Sequence, residues 1–545
     1  MTLTGEYDTV VVGAGHNGLV AATYLARAGH RVLVLERRSV VGGAATTEEF
    51  HPGFRGLPGA SLCGNLRPEV VQELGLATRG LQLLPLDPEV VALGKDRKPL
   101  RLWRNPARAT LEIAAFSQHD AAAYPAFRSL MVMIASVVDP LLLAAPPEVS
   151  DWKWADQLTL LRRGLKLRRA GPDVMYQAIR MVPMSLRAVL GEWFEDEQLK
   201  ASLAVDALMG TFRGPYSPET AFGLLHHYAP AVQAAGWSLV RGGMGTLTRV
   251  LATAAQESGV AIRTDADVRQ ILTKDGRATG VHLASGEIIL ARTVLSNADP
   301  KRTFLRLVDP TELPRDFLDH IRHFQTEGVV TKVNLALDGA PQVPGLDGGI
   351  APHLRIAPSL EYIERAYDDA KYGAASGNPF LDIVIPSVVD PDLAPPGKHV
   401  MSVAVQYTPY HLRKGNWETE REAVGDAVID CLDEHLPGLR GLVLAREVLT
   451  PVDLERRFGL TDGHIYHGEM TLNQQLVLRP APGWSQYRTP IAGLYLCGSG
   501  AHPGGGITGA PGHNAARAVV ADRGRRLGER HQLVPSRRPA RNRRA

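Results

Sequence analysis

Asp8-Thr-Val-Val-Val-Gly-Ala-Gly-His-Asn-Gly-Leu-Val-Ala-Ala-Thr-Tyr-Leu-Ala-Arg-Ala-Gly-His-Arg-Val-Leu-Val-Leu-Glu36 decides the fold of this chain. Thr9–Val12 is a β-branched run stopped by glycine, which predicts a buried parallel strand. Gly13-Ala14-Gly15-His16-Asn17-Gly18 is a GxGxxG turn. Leu19, Val20, Tyr24 and Leu25 then lay an apolar stripe along a helix that ends near Gly29. A second strand, Arg31 to Glu36, closes the unit on an acid. In such a unit Gly13 permits the tight turn and Gly15 lets the backbone approach a pyrophosphate. Gly18 lets the helix pack on the sheet, and the free N–H groups at the helix start face the phosphates. Ala14, His16 and Asn17 complete the turn and count among the expected cofactor contacts. Glu36 stands where a carboxylate accepts a ribose hydroxyl.

This unit predicts a dinucleotide without separating FAD from NAD. Arg37-Arg38 and then Val41-Gly42-Gly43-Ala44 separate them. The segment resembles the Arg…Gly-Gly extension of the glutathione-reductase-like flavoproteins, whose Gly-Gly segment passes the FAD diphosphate. The resemblance implies contacts from Arg37, Gly42, Gly43 and Ala44. No second strand-GxGxxG-helix unit follows, so a separate nicotinamide domain is not expected.

A chain of 545 residues exceeds one hydrophobic core, which predicts two or more domains. Hydrophobic residues at 45% and charged residues at 21% suit a soluble globular protein, and a net charge of +3 gives no reason to expect a nucleic-acid partner. Cys63, Cys431 and Cys497 are far apart, with no CxxC pair, which argues against a disulfide relay and fits a reducing compartment. The first strand starts too early for a signal peptide. The most apolar stretch, Leu130 to Pro146, is interrupted by Asp139-Pro140 and reads as too short to span a bilayer. The expected location is cytoplasmic, with at most a peripheral membrane contact. The Arg- and Pro-rich end, residues 526–545, reads as a disordered basic tail.

The cofactor domain is expected to return later in the chain. Arg241-Gly-Gly-Met-Gly245 precedes a helical pattern, strands follow near Val260–Ile262 and Asp267–Leu272, and a Ser285-Gly286 turn suggests a hairpin. This order resembles the phytoene desaturase and amine oxidase superfamily, in which the residue equivalent to Val268 touches the adenine end of FAD. Near the C-terminus, the strand Gly493–Cys497 leads into Gly498-Ser-Gly-Ala-His502-Pro-Gly-Gly505-Gly506-Ile507-Thr-Gly-Ala-Pro-Gly512 and then His513-Asn514-Ala-Ala. So many glycines suggest backbone lying against something flat or charged. The loop resembles the bacterial-type phytoene desaturases. Its branch looks like the pyridine nucleotide-disulfide oxidoreductase domain-containing 2 proteins, beside the desaturase-like carotenoid ketolases. Gly463-His-Ile-Tyr-His-Gly-Glu-Met470, Gln406-Tyr407 and Arg479-Pro480 also look like that branch. The resemblance implies flavin contacts from Gly498, Gly505, Gly506 and Ile507.

The expected architecture is α/β: a Rossmann-type FAD domain built from 1–110, 237–302 and 485–525, with a mixed α+β substrate domain from 111–236 and 303–484. Helices are predicted over Met175–Leu190, Asp196–Met209 and Glu420–His435, and strands over Val329–Leu337, Phe380–Pro386 and His399–Tyr407. His502 is the candidate catalytic histidine, with a purely cofactor- or backbone-bonding role as the alternative. His513 and Asn514 read as capping or cofactor contacts. His464-x-x-His467-x-Glu469 tempts a metal reading, but in a strand residues three apart face opposite ways, so no metal is expected. His226-His227-Tyr228, Trp152 and Trp154 read as packing. Leu158–Arg169, basic and interleaved with apolar residues, reads as a solvated helix face, with contact to anionic lipid as the alternative. The function expected is flavin-dependent dehydrogenation or desaturation of an apolar organic substrate, with oxygen or a quinone as acceptor. A carotenoid desaturase or ketolase, an amine oxidase and a flavin-bound regulatory protein are the rivals.

Overall fold

The computed structural model describes residues 3–147, 154–232 and 236–532. Trp152 and residues 533–545 of the expected tail lie outside them. The opening unit folds as strand β1 (Leu3–Val12), helix α1 (His16–Arg27) and strand β2 (Val32–Leu35). β1 pairs in parallel with β2 on one side and with the strand Ile288–Ser296 on the other. The strand Ala261–Arg263 extends the sheet beyond β2, while Leu494–Leu496 pairs in parallel with the C-terminal end of the 288–296 strand. Val268–Lys274 and Arg277–Leu283 add an antiparallel edge. Chain segments far apart in sequence thus meet around β1. The central strands are buried on both faces, and helices Met244–Glu257 and Ala510–Gln532 pack against α1.

A second seven-stranded sheet runs in the order 443–449, 330–337, 399–406, 380–384, 353–356, 90–93, 100–102. The expected strands in 329–407 fall here within a residue or two. Strands Val90–Leu93 and Leu100–Leu102 fall inside the 1–110 segment expected in the cofactor domain, yet they complete this second sheet. Val90–Leu93 is buried along its length and supplies the cover that the 353–356 strand needs.

Helices Gln118–Val138, Leu186–Trp193, Glu197–Leu208 and Gly223–Val232 form a cap around Phe127, Leu203 and Tyr228. The helix expected over Met175–Leu190 is two, Pro172–Met181 and Leu186–Trp193. Pro183 lies in the break, and Ser185 caps the second helix by accepting the Ala188 N–H at 3.2 Å. The Gln118–Val138 helix and the turn after it are long and apolar enough to cross a membrane, longer than the 130–146 stretch suggested. Tyr124, Phe127, Met131 and Ile134 of this helix are buried in the cap core, and 33% of its apolar window is buried in all. The C-terminal helix continues to Gln532, through the first part of the expected tail.

Candidate active site

A cavity of about 290 Å³ opens where β1 hands over to α1 and runs between the two sheets. Gly13, Gly15, His16, Asn17, Glu36, Arg37, Gly42, Gly43, Ala44, Val268, Gly506 and Ile507 line it. Gly13 has φ +95°, which L side chains rarely adopt. A Cβ at Gly18 would stand 2.3 Å from the Gly13 carbonyl oxygen, so this glycine allows α1 to start hard against the turn.

Ala14, Gly18, Gly498 and Gly505 are not part of that wall. The Ala14 N–H donates to Glu36 Oε2 at 2.8 Å, and the Arg38 N–H donates to Oε1 at 3.0 Å. Glu36 therefore pins the turn while keeping lone pairs for a hydroxyl on the cavity side. A Cβ at Gly498 would meet the Asn297 carbonyl oxygen at 2.6 Å, and one at Gly505 would lie 2.2 Å from the Tyr466 ring. The flat surface against Gly505 is thus a tyrosine of the protein.

Arg37 donates to the carbonyls of Arg456 and Arg457 (3.2 and 3.0 Å), at the C-terminal end of the helix Pro451–Phe458. His16 Nε2, Asn17 Oδ1 and His467 Nδ1, on residues lining this cavity, have no protein partner. Burial holds both imidazoles down to about 3, so they are neutral. Unsatisfied buried polar groups are costly, and a phosphate- and hydroxyl-rich cofactor bound here would answer them. The residues present fit FAD.

The sequence reading missed the far end of the cavity. Lys332 lies on the fully buried strand Val330–Leu337, and its Nζ donates to Ser61 Oγ at 2.7 Å. Burial brings Lys332 down to about 8. Asp382 and Asp206, also cavity residues, flank the buried Arg355. Arg355 donates to Asp206 (2.7 and 3.0 Å) and to Asp382 (3.0 and 3.1 Å), and His353 Nε2 donates to Asp382 at 2.9 Å. The visible signal was a lysine and an asparagine, with Thr331, inside the largely apolar run Val329 to Leu337.

A second cavity, of about 110 Å³, meets the first at Asp206, Met209, His226 and Tyr466. Ala135, Val138, Leu142, Phe222, Leu225 and Met470 give it an apolar wall, with Arg213 and Glu219 among its polar members. His226 thus borders both cavities instead of serving only as packing. His227 lies in the same helix, and its side chain is outside the described residues. His502 lines this second cavity and not the first. Its Nε2–H donates to the Leu141 carbonyl at 2.9 Å, leaving Nδ1 without a protein partner. Burial lowers it to about 4, so it is neutral at physiological pH. His513 bonds its neighbour Asn514, which donates to the Leu142 carbonyl and to the Tyr487 hydroxyl; both stand inside the C-terminal helix and tie the cap to it.

The Gly463–Met470 segment is a loop, so strand alternation does not govern it. His464 Nε2 and Glu469 Oε1 stand 3.7 Å apart, and Glu469 Oε1 accepts the Phe212 N–H at 2.7 Å. Among the described residues, His119, Asp120 and Glu195 are close enough to share a metal ion. Asp120 already accepts from His119 and from the Glu195 and Asp196 N–H groups, an arrangement that caps the following helix.

The model of the flavin containing amine oxidoreductase family matches residues 18–520. The rat pyridine nucleotide-disulfide oxidoreductase domain-containing protein 2 is 42% identical over 95% of this chain and 94% of its own length. A limonene dehydrogenase subunit from Castellaniella defragrans is 28% identical, covering 96% of each chain. The crystal structure of an oxidoreductase from Methanosarcina mazei shares the fold at a TM-score of 0.58, with 20% identity over 94% of this chain and 99% of that one. With a Rossmann-type sheet around a dinucleotide cavity and a family model over nearly its whole length, the chain belongs to the flavin containing amine oxidoreductase family, and FAD is its cofactor.

Proposed function

We propose that this oxidoreductase dehydrogenates or desaturates an apolar organic substrate held in the second cavity, passing the electrons to oxygen or a quinone. One observation carries the reading: an apolar cavity in the cap meets the cofactor cavity at Asp206, Met209, His226 and Tyr466. FAD, when bound, supplies an acceptor for a hydride. The chain's own part is positioning. The apolar wall orients a hydrocarbon and excludes water, and the Tyr466 ring holds the passage between the cavities.

Lys332, its basicity lowered by burial, is one group in the cofactor cavity able to hold or release a proton. Asp206, the carboxylate shared by both cavities, is engaged by Arg355 through two hydrogen bonds, so it is a poor counter-ion for an ammonium substrate. At the junction of the two cavities, that favours a neutral group over an ammonium. The name of the limonene dehydrogenase relative, which points to an alicyclic hydrocarbon, supports the same class.

Ala229, buried in the wall of the second cavity, provides the test. Ala229→Phe should fill that space, leaving the flavin spectrum and its bleaching by dithionite intact while abolishing bleaching by an apolar substrate. Unchanged substrate bleaching in this variant would place the substrate elsewhere.

A further inference from the structure

Leu158–Arg169 belongs to a helix, Trp154–Arg169, whose exposed surface is unusual for a water-facing element. Trp154, Leu158, Leu161 and Leu165 recur four, three and four residues apart, which sets them in one narrow stripe. All four are exposed, Trp154 to 84%. The next helix, Pro172–Met181, adds Tyr176 and Ile179 (62% exposed), with Val182 at its end. Among the described residues, no other stretch of comparable length carries so many exposed large apolar side chains. An apolar patch of this kind marks an interaction surface.

Charge indicates the partner. Arg162, Lys166, Arg168 and Arg169 are on the same helix as the stripe and have mostly exposed side chains. On the helical wheel Arg162 and Arg169 fall beside the stripe on one side and Arg168 on the other. Arg180 is excluded from this set because Glu192 engages it at 2.7 Å. An apolar stripe bordered by Arg and Lys, with a tryptophan at its start, has the make-up of a helix that lies in the interface of an anionic bilayer. The location is also apt. Lys166 Nζ donates at 2.9 Å to the Ser136 carbonyl of the Gln118–Val138 helix, and that helix lines the second cavity with Ala135 and Val138. A substrate soluble in lipid would thus be met next to the cap that receives it.

We propose that the helices Trp154–Arg169 and Pro172–Met181 form a docking surface for anionic membranes. This is independent of the reaction assigned above, because vesicle binding is read without turnover. The test is co-sedimentation of the FAD-loaded protein with vesicles of phosphatidylcholine alone and with phosphatidylglycerol in roughly equal amounts. Binding to the anionic vesicles only, weakening as salt is raised, is expected. Leu161→Glu with Ile179→Glu, and separately Arg162→Glu with Arg169→Glu, should each cut that binding roughly tenfold or more. Both variants change exposed side chains, and an unaltered flavin spectrum would show that they fold. Absence of binding by the parent protein would overturn the proposal, as would binding by both variants equal to the parent's. A dimer in sedimentation equilibrium that the Leu161→Glu, Ile179→Glu variant dissolves would assign the patch to a second copy of the chain, and would overturn it too.

Discussion

His502 shows how a residue's surroundings outrank its place in a motif. Its loop is glycine-rich and adjoins the cofactor region, but its Nε2–H is committed to the Leu141 carbonyl and its basicity is suppressed by burial. Loss of a working general base costs about a hundredfold to ten-thousandfold. His502→Asn should therefore slow flavin reduction by less than about tenfold, read by anaerobic stopped-flow, because the residue shapes the cavity and transfers no proton to or from the substrate. A thousandfold loss would restore it as a catalytic base. Lys332 makes the opposite case. It is protonated up to about pH 8 in the folded protein, against the usual 10.5 in the unfolded chain. The unfolded chain thus holds the extra proton between those values, so its contribution to stability rises from pH 8 to 10.5 and is a constant cost below pH 8. Lys332→Met should stabilise the protein at pH 7 by up to about 3 kcal/mol, and the gain should vanish as the pH approaches 10.5. Chemical unfolding at the two pH values measures this.

At the scale of elements, Arg479 is a central clamp on the loop between the Pro451–Phe458 helix and the Leu494–Leu496 strand. Arg479 is fully buried and donates to the carbonyls of Ser499, Glu469, Gln474 and Tyr466 at 2.8–3.2 Å, tying this loop to the glycine-rich one. Burial lowers it to about 9, against the opposing pull of the Glu469 carboxylate. Arg479→Met would strand several buried carbonyls, each costing about 1–3 kcal/mol. The expected outcome is a thermal midpoint several degrees lower together with weaker FAD retention on gel filtration. An unchanged midpoint would show the clamp to be dispensable. Elements with regular periodicity were legible in the sequence. β1, α1 and β2 follow from alternation, glycine spacing and the terminal acid, and the buried strands of the second sheet announce themselves as β-branched runs. Irregular loops were not legible. Nothing in Gly463–Met470 says that Tyr466 turns toward Gly505, because that contact depends on two loops brought together by both sheets. The break at Pro183 could have been read from the proline itself.

On the scale of the whole molecule, two sheets and a helical cap create two cavities that share a wall. The cofactor half of the site was written in local motifs, since phosphate recognition uses backbone N–H groups and glycines at fixed spacing. The second cavity was not. Ala135, Phe222, Leu225 and Met470 come from distant segments and look in sequence like any core residues. The Asp206–Arg355–Asp382 network supports the junction of the halves, and Arg355→Met should destabilise the fold by about 3–5 kcal/mol by removing the guanidinium that bridges the partly buried Asp206 and Asp382 carboxylates. Denaturant midpoints would register it, and a change under about 1 kcal/mol would mean that water replaces the arginine. The most direct measurement is the visible spectrum of the purified flavoprotein under anaerobic conditions, with limonene added to one sample and cyclohexylamine to another. Bleaching of the flavin bands by the hydrocarbon and not by the amine is the expected result. Bleaching by the amine alone would contradict an apolar substrate and assign the chain to amine oxidation.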